Sequence, residues 1–150
     1  MSTILIKNAT IINENSRIIS DVLIIDKRIE KIDRNISIDE SHDTIEAEGL
    51  FLIPGLIDDQ VHFREPGLTH KAEIFTESMA AVAGGVTTYM EMPNTIPNAT
   101  TINELEKKYD IAKRKSFANY SFYLGATNNN MHELNKLDKK KDVSDTHMTL

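Results

Sequence analysis

The sequence from residue 50 to residue 67 reads LFLIPGLIDDQVHFREPG, and the pattern of the chain changes there. An apolar run, interrupted by Pro54 and Gly55, leads directly into a cluster of polar side chains. A short apolar run bounded by turn residues is typical of a buried strand. We therefore predict a strand that ends in a polar cluster, with different kinds of structure before and after it.

Helical spacing begins after this cluster. The apolar residues that share one face of the first predicted helix are Ala72, Phe75, Met79, Val82 and Ala83. Gly84-Gly85 ends that helix, because glycine accepts the left-handed conformation that many helix ends need. The β-branched residues of 86–90 then predict a second strand.

A second helix and a third strand follow. Thr101 and Glu104 form a capping-box pattern at the helix start. Its predicted buried residues are Ile102, Leu105, Tyr109 and Ala112, and the lysine-rich clusters 107–108 and 113–115 are assigned to its solvated face. Residues 119–125 predict the third strand. Strand starts thus recur at intervals of about 30 residues, as in βαβ units with parallel strands.

The fold class follows from these units. Repeated βα units predict an α/β protein, either an open doubly wound sheet or the start of an eight-stranded barrel. Neither a dinucleotide-binding glycine fingerprint nor a P-loop is present in the sequence. We therefore favour the start of a TIM-type (β/α)8 barrel, with its first three βα units in residues 54–150.

Residues 1–53 have a different pattern, of short apolar strands separated by turn residues at 13–16 and 26–28. They predict a small antiparallel unit with one buried face. At the other end, residues 136–150 are polar and predict no fourth strand, and 142–150 are unusual enough to question whether they are native sequence. Because a closed barrel needs about 200–250 residues, we expect the 150-residue chain to be a fragment, inactive and poorly folded alone.

Composition excludes several classes of protein. The chain has 17 basic and 23 acidic residues, a net charge of −6 and no basic stripe, which argues against a nucleic-acid partner. No apolar run approaches the roughly 20 residues of a membrane span, and no signal peptide is visible, so we expect a cytoplasmic protein without a membrane partner. The sequence contains no cysteine. Any metal must therefore bind to His, Asp, Glu or a modified side chain.

The polar strand end offers candidate chemistry. Alternation along a strand places Asp58, Gln60 and His62 on one face, with Arg64 continuing the series. A carboxylate, an amide and an imidazole could hold a divalent metal, and Arg64 could bind an anionic group through two hydrogen bonds. Equally, the cluster could be a polar strand end with satisfied hydrogen bonds, and Arg64 half of a structural ion pair. Spacing alone leaves both interpretations open.

Several motifs add a family resemblance over roughly residues 4–135. Residues 54–62 resemble the amidohydrolase signature Pro-Gly-apolar-apolar-Asp-x-His-x-His, and residues 63–67 resemble an extension shared by dihydroorotases and allantoinases. Residues 84–88 (Gly-Gly-Val-Thr-Thr) and 92–95 (Met-Pro-Asn-Thr) are similar to the dihydroorotase pattern. The resemblance implies a barrel preceded by part of a small β-sandwich, here residues 1–53. It also implies reversible hydrolysis of dihydroorotate to N-carbamoyl-aspartate in pyrimidine synthesis.

The resemblance also implies roles for individual residues. His62 matches a metal ligand, Arg64 and Asn94 match residues that bind the substrate carboxylate, and Asp58 matches an acidic residue that supports the ligands. The expected cofactor is Zn²⁺, as one or two ions. The general acid/base aspartate is expected on the last barrel strand, so we expect no catalytic residue within this chain.

Gln60 departs from the family pattern, which has a histidine ligand at this position. An amide oxygen is a poorer zinc ligand than imidazole. Two alternatives therefore remain: a catalytically silent dihydroorotase-like subunit that binds a partner such as aspartate transcarbamoylase, and another cyclic-amide hydrolase such as an allantoinase or hydantoinase. Asn94-Thr95 argues against the latter, and the retention of Arg64 and Asn94 favours activity on a small-molecule substrate. A homo-oligomer is also compatible with the sequence.

Overall fold

A division between Pro54 and Gly55 separates two units in the computed structural model, which describes residues 2–39, 42–137 and 143–145. The first unit is a five-stranded sheet in the order β3-β2-β1-β4, with β5 also beside β1. Its strands are β1 (Thr3–Asn13), β2 (Ser16–Ile25), β3 (Arg28–Asp33), β4 (Asp43–Glu46) and β5 (Phe51–Leu52).

The predicted turns at 13–16 and 26–28 do connect antiparallel strands, β1 with β2 and β2 with β3. The expectation of a wholly antiparallel unit is wrong, because β4 and β5 both pair with β1 in parallel. Two-residue turns can join only antiparallel neighbours, whereas a longer connection allows the chain to return in the same direction. Strand direction after β3 was therefore not encoded in local turn residues.

The expectation of one buried face is also wrong. Ile6 and Val22 belong to one buried cluster, with Ala9, Ile11 and Ala47, while their neighbours Leu5 and Leu23 belong to another, with Ile36. Adjacent residues of a strand point to opposite faces, so the sheet buries side chains on both of them.

The Asp21 side chain stabilises an irregularity in the pairing of β1 with β2. The register of β1 against β2 shifts between Ile6 and Ala9, where Asn8 has a φ of 57°. The buried Asp21 carboxylate accepts hydrogen bonds from Lys7 Nζ at 2.7 Å, Asn8 N at 2.9 Å and Ile36 N at 3.0 Å. Burial alone would raise the pKa of Asp21, but Lys7 and the two backbone N–H groups outweigh it and lower that pKa.

The second unit contains a parallel sheet in the order β6-β7-β8-β9. Its elements are β6 (Leu56–Val61), α1 (Ile74–Ala83), β7 (Val86–Glu91), α2 (Ile102–Lys115), β8 (Asn119–Gly125), α3 (Met131–Leu134) and β9 (Val143–Asp145). The predicted strand–helix alternation and parallel pairing are confirmed by this order. The expectation of no fourth strand is wrong, because backbone pairing of β9 with β8 does not require an apolar sequence.

The buried face of α1 differs from the predicted one. Ile74 and Ser78 are buried, whereas Phe75, Met79 and Val82 are 43%, 49% and 45% exposed. The helix is apolar around much of its circumference, so spacing alone did not determine which side packs on the sheet.

The start of α2 is as predicted, with the Thr101 side chain accepting a hydrogen bond from Glu104 N at 3.2 Å. Its buried residues are Leu105, Lys108 and Ala112, so the interpretation of Lys108 as solvated is wrong. Ile102 and Tyr109 are partly buried against the same core. Among the described residues, no helix is long and apolar enough to cross a bilayer.

We expect Asp21→Ala to lower the free energy of unfolding by about 2–3 kcal/mol, because it removes a charged acceptor and leaves buried N–H groups unpaired. The pKa of Asp21 lies below its ordinary value of 3.8 in the folded state. Its stabilising contribution is therefore full above that pH and is lost as the pH falls further. Urea unfolding at neutral and acidic pH measures both effects in the complete protein that contains these residues.

Asp33→Ala is the matched control, since the Asp33 carboxylate is half exposed and pairs with the half-exposed Lys31, at 3.0 Å, and with the backbone N–H of Arg34. An exposed pair contributes little to stability. Equal losses from the two substitutions would contradict the role assigned to Asp21.

Candidate functional site

His62 and Asn94 meet at the carboxyl ends of two adjacent parallel strands. His62 follows β6 and Asn94 follows β7, and His62 Nδ1 lies 3.0 Å from Asn94 Oδ1. An amide oxygen can only accept a hydrogen bond, so this contact places the proton of a neutral imidazole on Nδ1. The Nε2 atom then retains the lone pair that a metal ligand needs.

The predicted alternation holds over the end of β6. Gln60 and His62 are exposed, whereas Val61 and Phe63 are buried. Between Asp58 and Val61 the register of β6 against β7 shifts. The alternation of exposed and buried side chains therefore cannot be extended directly back to Asp58. Asp58 Oδ1 accepts a hydrogen bond from Gln60 N at 3.1 Å. This contact fixes the backbone that carries Gln60.

Arg64 has an unusual backbone conformation directly after this strand. Its φ is 66°, which costs a non-glycine residue about 1–2 kcal/mol. Its carbonyl oxygen accepts a hydrogen bond from Leu68 N at 3.1 Å. The side chain is partly buried, and among residues 2–39 and 42–137 it forms no ion pair. Its guanidinium can therefore serve an anionic ligand.

The loops after β6 and β7 are joined to each other. Ile96 N donates to Pro66 O at 3.1 Å, and Met92 N donates to Val61 O at 3.0 Å. Gly67 has a φ of 84°, and a Cβ atom there would collide with the Ile96 backbone. Glycine is therefore required where the two loops cross, and Arg64 and Asn94 belong to one connected structure.

The donor set for a metal is incomplete. In the part of the chain that the structure describes, no group of three His, Cys, Asp or Glu side chains could hold an ion. Of the two expected ligands, His62 offers an imidazole lone pair, while Gln60 offers only a neutral amide oxygen. The residues present do not form a zinc site by themselves.

Comparison with known proteins identifies the family. The model of the family described as dihydro-orotase-like matches residues 49–143. The chain is 40% identical over 129 residues to a dihydroorotase of Methanosarcina acetivorans, covering 86% of this chain and 28% of that protein. It is 45% identical over 105 residues to a dihydroorotase of Streptococcus pneumoniae, covering 69% and 25%. The chain belongs to the dihydro-orotase-like family.

Solved structures show the same mixed α/β fold for this dihydro-orotase-like chain. L-hydantoinase (dihydropyrimidinase) from Arthrobacter aurescens superposes with a TM-score of 0.84 at 29% identity, over 91% of this chain and 30% of that one. A D-hydantoinase gives a TM-score of 0.79 at 27% identity, over 94% and 32%. The chain thus spans less than a third of the proteins that it matches.

Sequence reasoning missed a carboxylate in the dihydro-orotase-like motif itself. Glu65 is buried, its Oε2 accepts a hydrogen bond from Ile74 N at 3.0 Å, and its Oε1 lies 2.6 Å from Lys115 Nζ. Ile74 is the first residue of α1, where backbone N–H groups lack helical partners and a negative charge is favourable. Glu65, helped by Glu73, raises the pKa of Lys115. Glu65 lies nine residues before Ile74, so no local sequence pattern indicates that it caps α1.

A second buried pair was also missed. Lys108 Nζ lies 3.1 Å from Glu91 Oε2, with both side chains 1% exposed, and donates to Met92 O at 2.9 Å. Burial raises the pKa of Glu91, which Lys108 partly offsets, and burial lowers the pKa of Lys108. The sequence did contain a signal for Lys108. This residue lies three positions after Leu105 and four before Ala112, so it shares their buried face of α2.

We expect Glu65→Gln to lower the free energy of unfolding by about 1–3 kcal/mol, because it weakens a charge-assisted helix cap and a partly buried ion pair together. Thermal or urea unfolding of the complete protein measures the loss. Glu73→Gln is the control, since Glu73 is 38% exposed and lies 3.3 Å from the same Lys115. A loss for Glu73→Gln as large as that for Glu65→Gln would contradict the capping role.

Proposed function

We propose that the complete protein containing these residues catalyses the reversible hydrolysis of dihydroorotate to N-carbamoyl-aspartate, a step of de novo pyrimidine synthesis. The observation that carries the proposal is the 3.0 Å contact of His62 with Asn94 at adjoining strand ends. The dihydroorotases of Methanosarcina acetivorans and Streptococcus pneumoniae, at 40% and 45% identity, support the same substrate.

In this proposal Arg64 and Asn94 bind the carboxylate of the substrate. A guanidinium matches a carboxylate with two parallel hydrogen bonds. Asn94 turns Oδ1 towards His62, so its Nδ2 group is left to donate to a ligand. Holding one end of the ring at two points orients the amide bond that is cleaved.

The proposed cofactor is Zn²⁺, whose bound water would ionise near neutral pH. His62 is the one residue here that we assign as a ligand. Gln60 is a poor donor, Asp58 holds the Gln60 backbone, and the acid/base aspartate and other ligands implied by the resemblance belong to other parts of the protein. For the residues of this chain the proposed work is therefore substrate binding and orientation.

The proposed architecture has two parts, a TIM-type (β/α)8 barrel begun by residues 54–150 and a small β-sandwich to which residues 1–53 contribute. Four parallel strands in sequential order support the barrel. The placement of His62 and Asn94 after β6 and β7 also supports it, since barrel active sites lie at the carboxyl ends of strands. A cytoplasmic location, a homo-oligomer and association with aspartate transcarbamoylase stay predictions.

A second candidate function is hydrolysis of another cyclic amide. The likeness to hydantoinases, with a TM-score of 0.84 for the first, favours it. Turnover of dihydroorotate, hydantoin and allantoin by the complete protein separates the candidates. Dihydroorotate as the best substrate supports the proposal, and preference for either other ring contradicts it. No turnover of any ring by zinc-loaded protein identifies a silent subunit.

We expect Arg64→Lys to raise KM for dihydroorotate about 10- to 100-fold with a smaller change in kcat, because lysine keeps the charge but loses the planar pair of donors. Dihydrouracil has the same ring without the carboxylate, so its KM should not change. Arg114→Lys, at an exposed position of α2, is the control substitution. Equal losses on both substrates would contradict carboxylate binding by Arg64.

We expect Gln60→His to bind zinc at least about tenfold more tightly than the parent, because imidazole replaces a neutral oxygen donor. Zinc content after dialysis against a chelator measures this without reference to activity. Gln60→Asn, which keeps an amide, is the matched control. Unchanged zinc affinity in Gln60→His would show that position 60 does not face a metal.

A further inference from the structure

A buried ion pair lies beneath the two loops of the candidate site. We propose that Lys108, held in place by Glu91, is a positioning residue, which sets the backbone between the ends of β6 and β7 so that Arg64 and Asn94 reach one carboxylate. This inference rests on the proposed function, which does not itself assign a role to either residue.

Lys108 fixes the loop after β7. Its Nζ atom lies inside the core, 3.1 Å from Glu91 Oε2 and 5.0 Å from the centre of the Phe122 ring. It donates to Met92 O at 2.9 Å, two residues before Asn94. The N–H of the same Met92 donates to Val61 O at 3.0 Å, directly before His62. One ammonium group therefore anchors the peptide between the two strand ends.

Glu91 holds Lys108 at the end of β7. It is the last residue of that strand and lies opposite Val61 in the parallel ladder. The Val61 carbonyl that accepts from Met92 N lies three residues before Arg64, whose φ of 66° persists only where the surroundings hold it. The ion pair therefore lies at the ends of both strands that lead into the site loops.

Stability alone does not account for this pair. Two charges that are both 1% exposed have lost most of their hydration, and apolar residues of similar size often stabilise a core as well or better. What an apolar pair cannot supply is a donor for Met92 O. A positioning role uses that donor.

The test compares two double variants in the complete protein. Lys108→Met alone would leave the Glu91 charge buried without its partner, so both residues are changed together. Glu91→Leu with Lys108→Met fills the core but removes the contact with Met92 O. Glu91→Gln with Lys108→Gln removes the charges and keeps a donor. Lys107→Met is the control, since Lys107 is 54% exposed and pairs with Glu104.

We expect the Leu/Met variant to raise KM for dihydroorotate at least about tenfold, with kcat changed less than about threefold, while the Gln/Gln variant stays near the parent. In the Leu/Met variant, amide hydrogen exchange should quicken at least about tenfold in residues 62–68 and 92–96 and not in α2 itself. Lys107→Met should change neither quantity.

Two results would overturn the inference. Parent-like KM and exchange in a stably folded Leu/Met variant would show that the pair only fills space. Losses in both double variants that follow their melting temperatures alone would show a purely structural role. Should the parent not turn over dihydroorotate, the proposed function fails, and exchange in residues 62–68 and 92–96 still decides whether the pair holds these loops.

Discussion

The parallel pairing of β6 with β7 is the constraint on which the candidate site depends. Because the two strands run in the same direction, the chain leaves both at one edge of the sheet, and His62 and Asn94 come within 3.0 Å although they are 32 residues apart. The ladder ends where Met92 N donates to Val61 O, at 3.0 Å. Beyond that bond both strands continue as loops, and these loops carry the residues of the candidate site.

Helix α2 contacts the end of β7 and the loops that follow both strands through two lysine side chains. Lys108 reaches Glu91 at the end of β7, and Lys115, two turns later, reaches Glu65 in the loop after β6. The Glu65 carboxylate also caps α1, at 3.0 Å from Ile74 N. The loop after β6 is thus held through Glu65, and the loop after β7 through the hydrogen bond of Lys108 to Met92 O. A displacement of α2 would therefore displace both loops. The packing of this helix thus affects the geometry of the candidate site.

The order of strands and helices in the second unit was predictable, because periodicity, glycine and capping residues are local signals. The Thr101 cap was predicted in this way and is confirmed, and motifs alone predict His62, Arg64 and Asn94 as site residues. Contacts between elements were not predictable. Glu65 meets Lys115 across 50 residues, and the parallel return of β4 beside β1 depends on a long connection rather than on a turn. Lys108 was assigned to solvent by its residue type, although its position on α2 indicated the buried face.

The contact of His62 with Asn94 also changes how the site can be understood. In the proposed function, one of these residues binds a metal and the other a substrate. In the structure, Asn94 Oδ1 faces Nδ1 of the His62 imidazole, so Nε2 points away from Asn94. The amide nitrogen of Asn94 remains available as a donor. In the proposed function, the Asn94 side chain therefore orients the His62 imidazole and binds the substrate carboxylate. Gln60 cannot replace a histidine in this arrangement. In a histidine ligand, a hydrogen bond at one ring nitrogen orients the ring and makes the other nitrogen more basic, and an amide side chain has no equivalent. In the proposed function, the chain therefore contributes more to binding a substrate carboxylate than to holding a metal.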